Sequence, residues 1–306
     1  MKHGRDLDVH LPPAVLRIAV ADLRRYVLNP RLSWDVQRRR LEKSMRFGPS
    51  PRGTKITERD LNGVTAEIVT AGRARADVTI VHFHGGGYCI GSASMARSWA
   101  ATLAAKADGQ VILPGYRLAP EHPFPAALDD ARQVMKAVSG ETSPASIVLS
   151  GDSAGAGLAL ALLLALRDEG QELPAGCVLL SPWLDLSASR RANTALVRKD
   201  RLLSPAWLEA CAAAYAGESD PSDPAMSPLH ASHQGLPPLL IQCGSDEILA
   251  PDSELLAASA SAEGTDVTYT KWPRMWHDFA LQPGVLAAAD SALAQTAWFL
   301  AKVTKT

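Results

Sequence analysis

The sequence of 306 residues has only four cysteines, no C-x-x-C pair and no long apolar run. Widely spaced cysteines argue against a disulfide-stapled scaffold and indicate a reduced compartment. The longest apolar run, residues 158–166, is far shorter than the roughly 20 residues of a membrane-spanning helix. The first eight residues are charged and no apolar signal-peptide core follows them, so we expect a cytoplasmic protein.

Charge of one sign is not in excess either. A net charge of −1 gives no electrostatic reason to bind nucleic acid, and 47% hydrophobic with 21% charged residues excludes wholesale disorder. Basic residues nevertheless concentrate in the first 50 positions, with the densest run at Arg38, Arg39 and Arg40. We interpret this run as the solvated face of a helix, with contact to an anionic membrane as the alternative.

Short apolar runs alternate with helix-length segments from residue 95 onward. This pattern predicts an α/β protein whose mostly parallel central sheet is covered by helices on both faces. The predicted strands are residues 64–69, 78–83, 111–113, 147–149, 178–180, 239–243 and 267–272. The predicted helices are residues 95–107, 126–138, 154–168, 252–263 and 287–302.

Two segments lie outside this alternation. Residues 1–50 have the apolar spacing of basic helices and end in a cluster of glycines and prolines. Residues 186–233 contain no clear strand, and we predict that they form an insertion over the C-terminal edge of the sheet. The chain is thereby divided into N-terminal cap helices (1–50), a first core segment (51–185), a cap insertion (186–233) and a second core segment (234–306).

The chain has a single G-x-S-x-G motif, which comprises residues 151–155. It lies between a predicted strand and a predicted helix. A tight turn at such a junction exposes the serine hydroxyl, and glycine on either side avoids a steric clash. We therefore predict that Ser153 is a nucleophile. A plain glycine-rich turn with a helix-capping serine is the alternative.

A nucleophilic serine requires hydrogen-bond donors for the oxyanion that forms when it attacks a carbonyl group. His84 is followed by three glycines directly after the predicted strand 78–83, as in the HGGG motif of esterases. We assign the oxyanion hole to the backbone amides of Gly85, Gly86 and Ala154.

The base and the acid of such a site follow the serine in the order acid, then histidine. His277 follows the strand 267–272 and precedes the last helix, whereas His230 and His233 lie in the insertion. We predict His277 as the base.

For the acid we predict Asp246, which comes just after the strand 239–243. Glu247 adjoins it, and Asp252 suits the N-cap of the following helix.

Elsewhere in the chain, Asp152 suits a role in holding a neighbouring loop. Tyr88, Trp207 and Trp276 are candidate walls of a substrate pocket, with simple packing as the alternative.

With these motifs the chain resembles the bacterial hormone-sensitive-lipase-like esterases of the α/β-hydrolase superfamily, from about residue 60 to 300. The matching stretches are HFHGGGY at 82–88, YRLAPEHPFPA at 116–126, GDSAGAG at 151–157, SPW at 181–183, GSD at 244–246 and HDF at 277–279. The resemblance assigns the triad to Ser153, Asp246 and His277. The family's acid is usually followed by Pro-Leu, whereas Asp246 is followed by Glu247 and Ile248.

The resemblance implies an α/β-hydrolase fold with a helical cap, a frequent homodimer, and hydrolysis of short-acyl esters without a metal or organic cofactor. We predict a serine carboxylesterase that acts through an acyl-enzyme on Ser153, with a small-molecule ester as its partner and neither nucleic acid nor integral membrane association. Preference for an amide or an N-acetyl group stays open. A non-catalytic receptor is the alternative of another class, and the presence of His277 argues against it, since the plant gibberellin receptor of this family lacks that histidine.

Overall fold

The structure is a computed structural model that describes residues 10–44, 50–72, 78–187 and 194–304. Its helices are α1 Pro13–Tyr26, α2 Trp34–Ser44, α3 Arg97–Ala107, α4 Ala126–Ser139, α5 Ala154–Asp168, α6 Thr194–Lys199, α7 Pro205–Ala216, α8 Ala250–Ala262 and α9 Ala287–Thr304. Its strands are β1 Lys55–Leu61, β2 Val64–Thr70, β3 Thr79–Phe83, β4 Gln110–Pro114, β5 Ile147–Asp152, β6 Gly176–Leu180, β7 Leu239–Gly244 and β8 Val267–Trp272.

The strands form one eight-stranded sheet in the order β1-β2-β4-β3-β5-β6-β7-β8. The first two pairs, β1 with β2 and β2 with β4, are antiparallel, and the other five pairs are parallel. The predicted fold class is confirmed, and all seven predicted strands are present. Strand β1 was not predicted, because an edge strand that is exposed along its length except at Leu61 has no apolar run to reveal it.

Both faces of the sheet are covered, which explains the near-continuous apolar strands. Neighbouring residues of β5 point to opposite sides, with Leu149 in one buried cluster and Val148 in the other. Helix α5 is buried along almost its whole length and packs against β5. The strand–helix unit on which Ser153 lies is therefore among the most deeply packed parts of the molecule.

Helix α2 and the insertion pack against each other over the carboxyl edge of the parallel strands. The indole Nε1 of Trp207 on α7 donates a hydrogen bond of 2.8 Å to the side-chain oxygen of Gln37 on α2, and both side chains are buried. Helix α7 begins at Pro205, with its N-cap Ser204 accepting a bond from the Trp207 amide. The loops that follow β3, β5, β7 and β8 meet beneath these helices, since parallel strands end at one edge of a sheet.

The arginine run on α2 is only partly the solvated face that we predicted. Arg38 donates to the backbone oxygens of Cys89 and Ala119, each at 2.8 Å, and its two terminal nitrogens pair with Glu121. Arg40 donates to the Tyr26 carbonyl at 2.8 Å. Arg38 thus fastens α2 to the loop that follows the HGGG motif, a contact that charge patterning does not reveal.

All four cysteines are buried and unpaired by disulfides. In the described ranges, no helix combines the length and apolarity required to cross a membrane. The most apolar long helix, α5, has 15 residues and is instead enclosed by the protein core.

Candidate active site

Ser153 lies at a sharp turn between β5 and α5. Its backbone adopts φ 52° and ψ −121°, and its amide donates to the Leu180 carbonyl at 2.9 Å. A Cβ atom at Gly151 would overlap the carbonyl oxygen of Gly155, and one at Gly155 would overlap the carbonyl oxygen of Phe83. Both glycines of the motif are therefore required by close backbone approach, and the turn raises the serine hydroxyl above the sheet edge.

The serine hydroxyl begins a chain of three buried side chains. Ser153 Oγ lies 2.9 Å from Nε2 of His277, and Nδ1 of the same ring lies 2.6 Å from Oε2 of Glu247. Ser153 is 4% exposed, His277 2% and Glu247 0%. In this geometry the Nδ1–H donates to the carboxylate, which leaves the Nε2 lone pair to accept the serine proton.

Asp246, our predicted acid, is not the carboxylate on His277. It accepts a bond of 2.8 Å from Nη2 of Arg17 on α1 and one of 3.2 Å from Ser245 Oγ. Its amide donates to the Met275 carbonyl, and the turn directs its side chain toward α1 and that of Glu247 beneath the imidazole. The absence of Pro-Leu after Asp246 was the sequence feature that pointed to this difference.

The buried carboxylate of Glu247 is well supplied with donors. Its Oε1 accepts from the amide of Gly244 and, at 3.1 Å, from Ser181 Oγ. The adjacent amide of Ile248 donates at 2.8 Å to Asp200, a buried residue of the insertion. A carboxylate taken out of water is tolerated only with such partners, so these contacts hold the Glu247 side chain in place.

A second carboxylate, that of Asp278, lies beside the other ring nitrogen of His277, Nε2. Asp278 Oδ2 is 3.2 Å from His277 Nε2. Burial by itself lowers the pKa of His277, but Asp278 and Glu247 outweigh it and hold that pKa well above its usual value. Burial also raises the pKa of Asp278 to about 7, although the adjacent His277 acts in the opposite direction.

The glycine loop after β3 is tied to the residue that precedes the serine. The amide of Gly85 donates to Asp152 Oδ2 at 2.9 Å, and Asp152 Oδ1 lies 3.1 Å from His82 Nε2. Asp152 thus holds the neighbouring loop, as predicted. Our assignment of Gly85 to the oxyanion hole does not fit, since its amide is already engaged.

The backbone amides of the next two residues in the loop are available as oxyanion donors in place of Gly85. Those of Gly86 and Gly87 donate to no acceptor within the described chain, and both residues have positive φ, 113° and 62°. Ala154 is the first residue of α5, so its amide has no intrahelical acceptor.

A cavity of about 140 Å³ opens over the serine. Its lining is mostly apolar and comes from α1, α2, the insertion and the loops at the sheet edge: Val20, Leu23, Leu28, Leu41, Gly86, Ile90, Met95, Ser153, Leu202, Leu203, Trp207, His277, Asp278, Leu281 and Gln282. Of the three predicted aromatic walls, Trp207 lines it. Tyr88 stacks on Tyr215 at 3.8 Å, and Trp276 is buried in the core.

The other polar groups that we singled out have structural partners. His233 lies 3.0 Å from the Pro228 carbonyl, and His230 lies 3.2 Å from Asp185. Asp252 lies in the first turn of α8 rather than at its N-cap and accepts from two backbone amides. Across the described ranges, no three His, Cys, Asp or Glu side chains are grouped to hold a metal ion.

The chain is similar to known hydrolases in both sequence and fold. Residues 80–281 match the model of a family described as having the alpha/beta hydrolase fold. An acetyl-hydrolase of Streptomyces hygroscopicus is 39% identical over 255 residues, 83% of this chain and 84% of its own length. An esterase of Acinetobacter venetianus is 37% identical over 261 residues, which are 85% of this chain and 86% of that esterase. A crystal structure of an esterase from the bacterial hormone-sensitive lipase family superposes with a TM-score of 0.89 at 35% identity, covering 99% of this chain and 100% of that one.

Proposed function

This chain belongs to the alpha/beta-hydrolase family and is a hydrolase, and we propose that it is a serine carboxylesterase with Ser153 as nucleophile, His277 as base and Glu247 as acid. The observation that carries the proposal is the buried chain from Ser153 Oγ through His277 to Glu247, with separations of 2.9 Å and 2.6 Å. A nucleophile, a base on it and a carboxylate that orients the base are the three parts that acyl transfer requires.

The first half of the proposed reaction transfers the acyl group to the enzyme. Ser153 Oγ attacks the ester carbonyl carbon while His277 Nε2 takes the serine proton. The tetrahedral intermediate then collapses, its bond to the alcohol oxygen breaks, and Nε2 gives that oxygen its proton. Glu247 keeps the Nδ1 proton in place and stabilises the imidazolium that exists between these steps.

The second half releases the acid. Water gives a proton to His277, attacks the acyl carbon and displaces Ser153, which recovers its proton. In both halves we assign the oxyanion to the amides of Gly86 and Ala154, with Gly87 as the third donor in place of Gly85. Losing one such donor typically costs about 3–4 kcal/mol of transition-state stabilisation.

The size of the cavity favours a short acyl group. Its volume of about 140 Å³ is below the roughly 300–1,000 Å³ of ordinary ligand pockets. Leu23 from α1 and Leu202 from the insertion line it, which supports our assignment of residues 1–50 and 186–233 to a cap. Residues 1–9, 45–49 and 188–193 of these segments lie outside the described residues.

We expect hydrolysis of p-nitrophenyl esters to be fastest between acetate and butyrate and about 5- to 150-fold slower at decanoate, because overfilling a packed apolar site costs about 1–3 kcal/mol. Release of p-nitrophenol across the series to palmitate measures this. Leu23→Ala, which widens the cavity, should move the optimum to longer chains. An optimum at palmitate in the unaltered protein would contradict the short-acyl assignment.

The nucleophile is tested directly with diethyl p-nitrophenyl phosphate, which leaves a diethylphosphoryl group on an activated serine. Mass spectrometry of the digested protein should find the adduct on Ser153 and none in Ser153→Ala. No adduct on Ser153 in folded protein would overturn the proposed nucleophile. Parallel assays with an N-acetylated amine are warranted, since one relative is called an acetyl-hydrolase.

The pH dependence of kcat/KM should reflect the protonation of His277. Its imidazole must be neutral to accept the serine proton. Its raised pKa predicts that kcat/KM falls as pH drops, with a midpoint above the ordinary histidine value of about 6.5. Asp278→Asn removes a charge that raises this pKa, so the midpoint should move to lower pH. The measurement is kcat/KM for p-nitrophenyl acetate from about pH 5 to 9; an unchanged or higher midpoint in the variant would contradict the assignment.

We further propose that the protein is a cytoplasmic homodimer. Strand β8 ends the sheet order, so its outer edge has no partner strand in the described chain. Leu255 on α8 and Trp298 on α9 are exposed at 42% and 54%, and both helices follow the two strands at this end of the sheet. An open edge flanked by exposed apolar side chains supports pairing with a second copy.

A further inference from the structure

Asp200, a buried residue between α6 and α7, has a carboxylate that joins two separate segments of the chain. Its Oδ1 accepts hydrogen bonds from the amides of Leu202 and Leu203, each at 2.8 Å, and its Oδ2 accepts one of 2.8 Å from the amide of Ile248. Asp200 is only 2% exposed. Because a carboxylate enclosed by protein is tolerated only with such donors, the three amides fix its position and are fixed by it in turn.

The first of these segments is a wall of the cavity over Ser153. Leu202 and Leu203 both line that cavity. An aspartate that accepts from the amides two and three residues after it stabilises a tight turn, so the bonds to Oδ1 set the course of the chain along the cavity wall. Arg24 of α1 donates to the Asp200 carbonyl at 3.2 Å, which attaches the N-terminal helices at the same residue.

The second segment is the turn that carries Glu247. The Ile248 amide belongs to the same planar peptide unit as the Glu247 carbonyl, so a bond to this amide restrains the backbone from which the Glu247 side chain leaves. A shift of that backbone would change the 2.6 Å separation between Glu247 and His277. Burial raises the pKa of Asp200, whereas His277 and the three amides act in the opposite direction, so the carboxylate also lies within electrostatic range of the imidazole.

From these contacts we propose that Asp200 is a positioning residue that couples the cavity wall to the placement of the triad acid. Separation of the insertion from the Glu247 turn would leave the Ile248 amide and the Asp200 carboxylate without each other, and unpaired buried groups of this kind are costly. The seated insertion and the correctly placed acid thus stabilise each other, and a substrate that packs on the wall favours both. The inference rests on the proposed esterase function and adds that the insertion takes part in assembling the triad.

Two variants remove the link from opposite ends. Ile248→Pro deletes the donor and suits the local backbone: the Ala250 amide donates to the Glu247 carbonyl at 3.3 Å, and Leu249 has φ −91° and ψ 0°. These values make Ile248 the second residue of a type I turn, a position that proline favours. Asp200→Ser leaves one side-chain oxygen, which is enough for the local turn but not for both segments.

Each variant should lower kcat for p-nitrophenyl acetate by about 10- to 100-fold, as small misplacements of catalytic groups do. For Ile248→Pro, KM should stay within about threefold, because the bonds to Leu202 and Leu203 remain. In a Glu247→Gln background, where the charge to be positioned is absent, either change should lower kcat by less than about threefold. Rates are corrected with Ser153→Ala protein, and circular dichroism checks the fold.

Asp252→Asn is the matched control for general loss of stability. It alters another buried carboxylate that accepts from two backbone amides, those of Leu184 and Asp185. It should lower the melting temperature, as Asp200→Ser does, but any effect on kcat should be the same with and without Glu247→Gln.

An unchanged kcat in either folded variant would overturn the inference and leave the esterase function standing. A loss that is equally large in the Glu247→Gln background would overturn it as well, since the effect would then not pass through the acid. Each variant decides on its own if the other does not fold. Full activity of Glu247→Gln itself would instead contradict the proposed acid, and the inference would fail with it.

Discussion

Replacing Ser153 by alanine is expected to lower kcat for p-nitrophenyl acetate by roughly 10⁶-fold, the loss typical of serine hydrolases without their nucleophile. His277 and Glu247 keep their contact in the variant, but no oxygen remains at 2.9 Å from Nε2 to attack the ester. The residual rate should reflect only the oxyanion donors and substrate binding, which act on water as the nucleophile.

The variant should stay folded, because its fold-determining contacts are made by the backbone. The Ser153 amide and carbonyl bond to Leu180, Ala156, Gly157 and Trp183, and alanine keeps all of these. A melting temperature within a few degrees of the unaltered protein is the control, since only one buried side-chain bond is lost. Activity within about a hundredfold of the unaltered protein would overturn the acyl-enzyme mechanism.

Replacing Glu247 by glutamine should lower kcat by about 10⁴-fold, the loss seen when a triad carboxylate becomes an amide. The amide is nearly the same size, so packing around it is kept. It has no charge to stabilise the imidazolium, however, and it can turn a donor toward Nδ1 and favour the wrong tautomer. The measurement is kcat for p-nitrophenyl acetate at saturating substrate.

Asp246→Asn is the matched control, because it makes the same chemical change one residue earlier. Asp246 pairs with Arg17 at 2.8 Å, and their side chains are 18% and 34% exposed, so its loss should cost less than about 1 kcal/mol of stability and less than tenfold in kcat. The reverse result, a large loss in Asp246→Asn and a small one in Glu247→Gln, would return the acid to Asp246.

The proposed nucleophile, Ser153, and the proposed base, His277, could be predicted without a structure because their constraints are local. A serine raised above a strand-to-helix turn needs glycine two residues before and after it, where a side chain would strike Phe83 or the turn itself. His277 needs only to follow the last strand at the sheet's carboxyl edge. The fold class was readable for the same reason, since strands buried on both faces are apolar throughout.

Our proposals for the acid and the oxyanion donors, and the packing of α2, depend on contacts between distant parts of the chain. Asp246 and Glu247 are adjacent carboxylates, and only the packing of the β7–α8 turn places Asp246 against Arg17 and Glu247 against His277. Gly85 and Gly86 look alike in sequence, but Asp152, 67 residues later, accepts from Gly85. The sequence pattern predicts a solvated Arg38, whereas the fold places Cys89 and Glu121 beside its guanidinium group. Residues that are adjacent and chemically alike differ in the tertiary contacts that the fold gives them. Local sequence patterns do not contain those contacts.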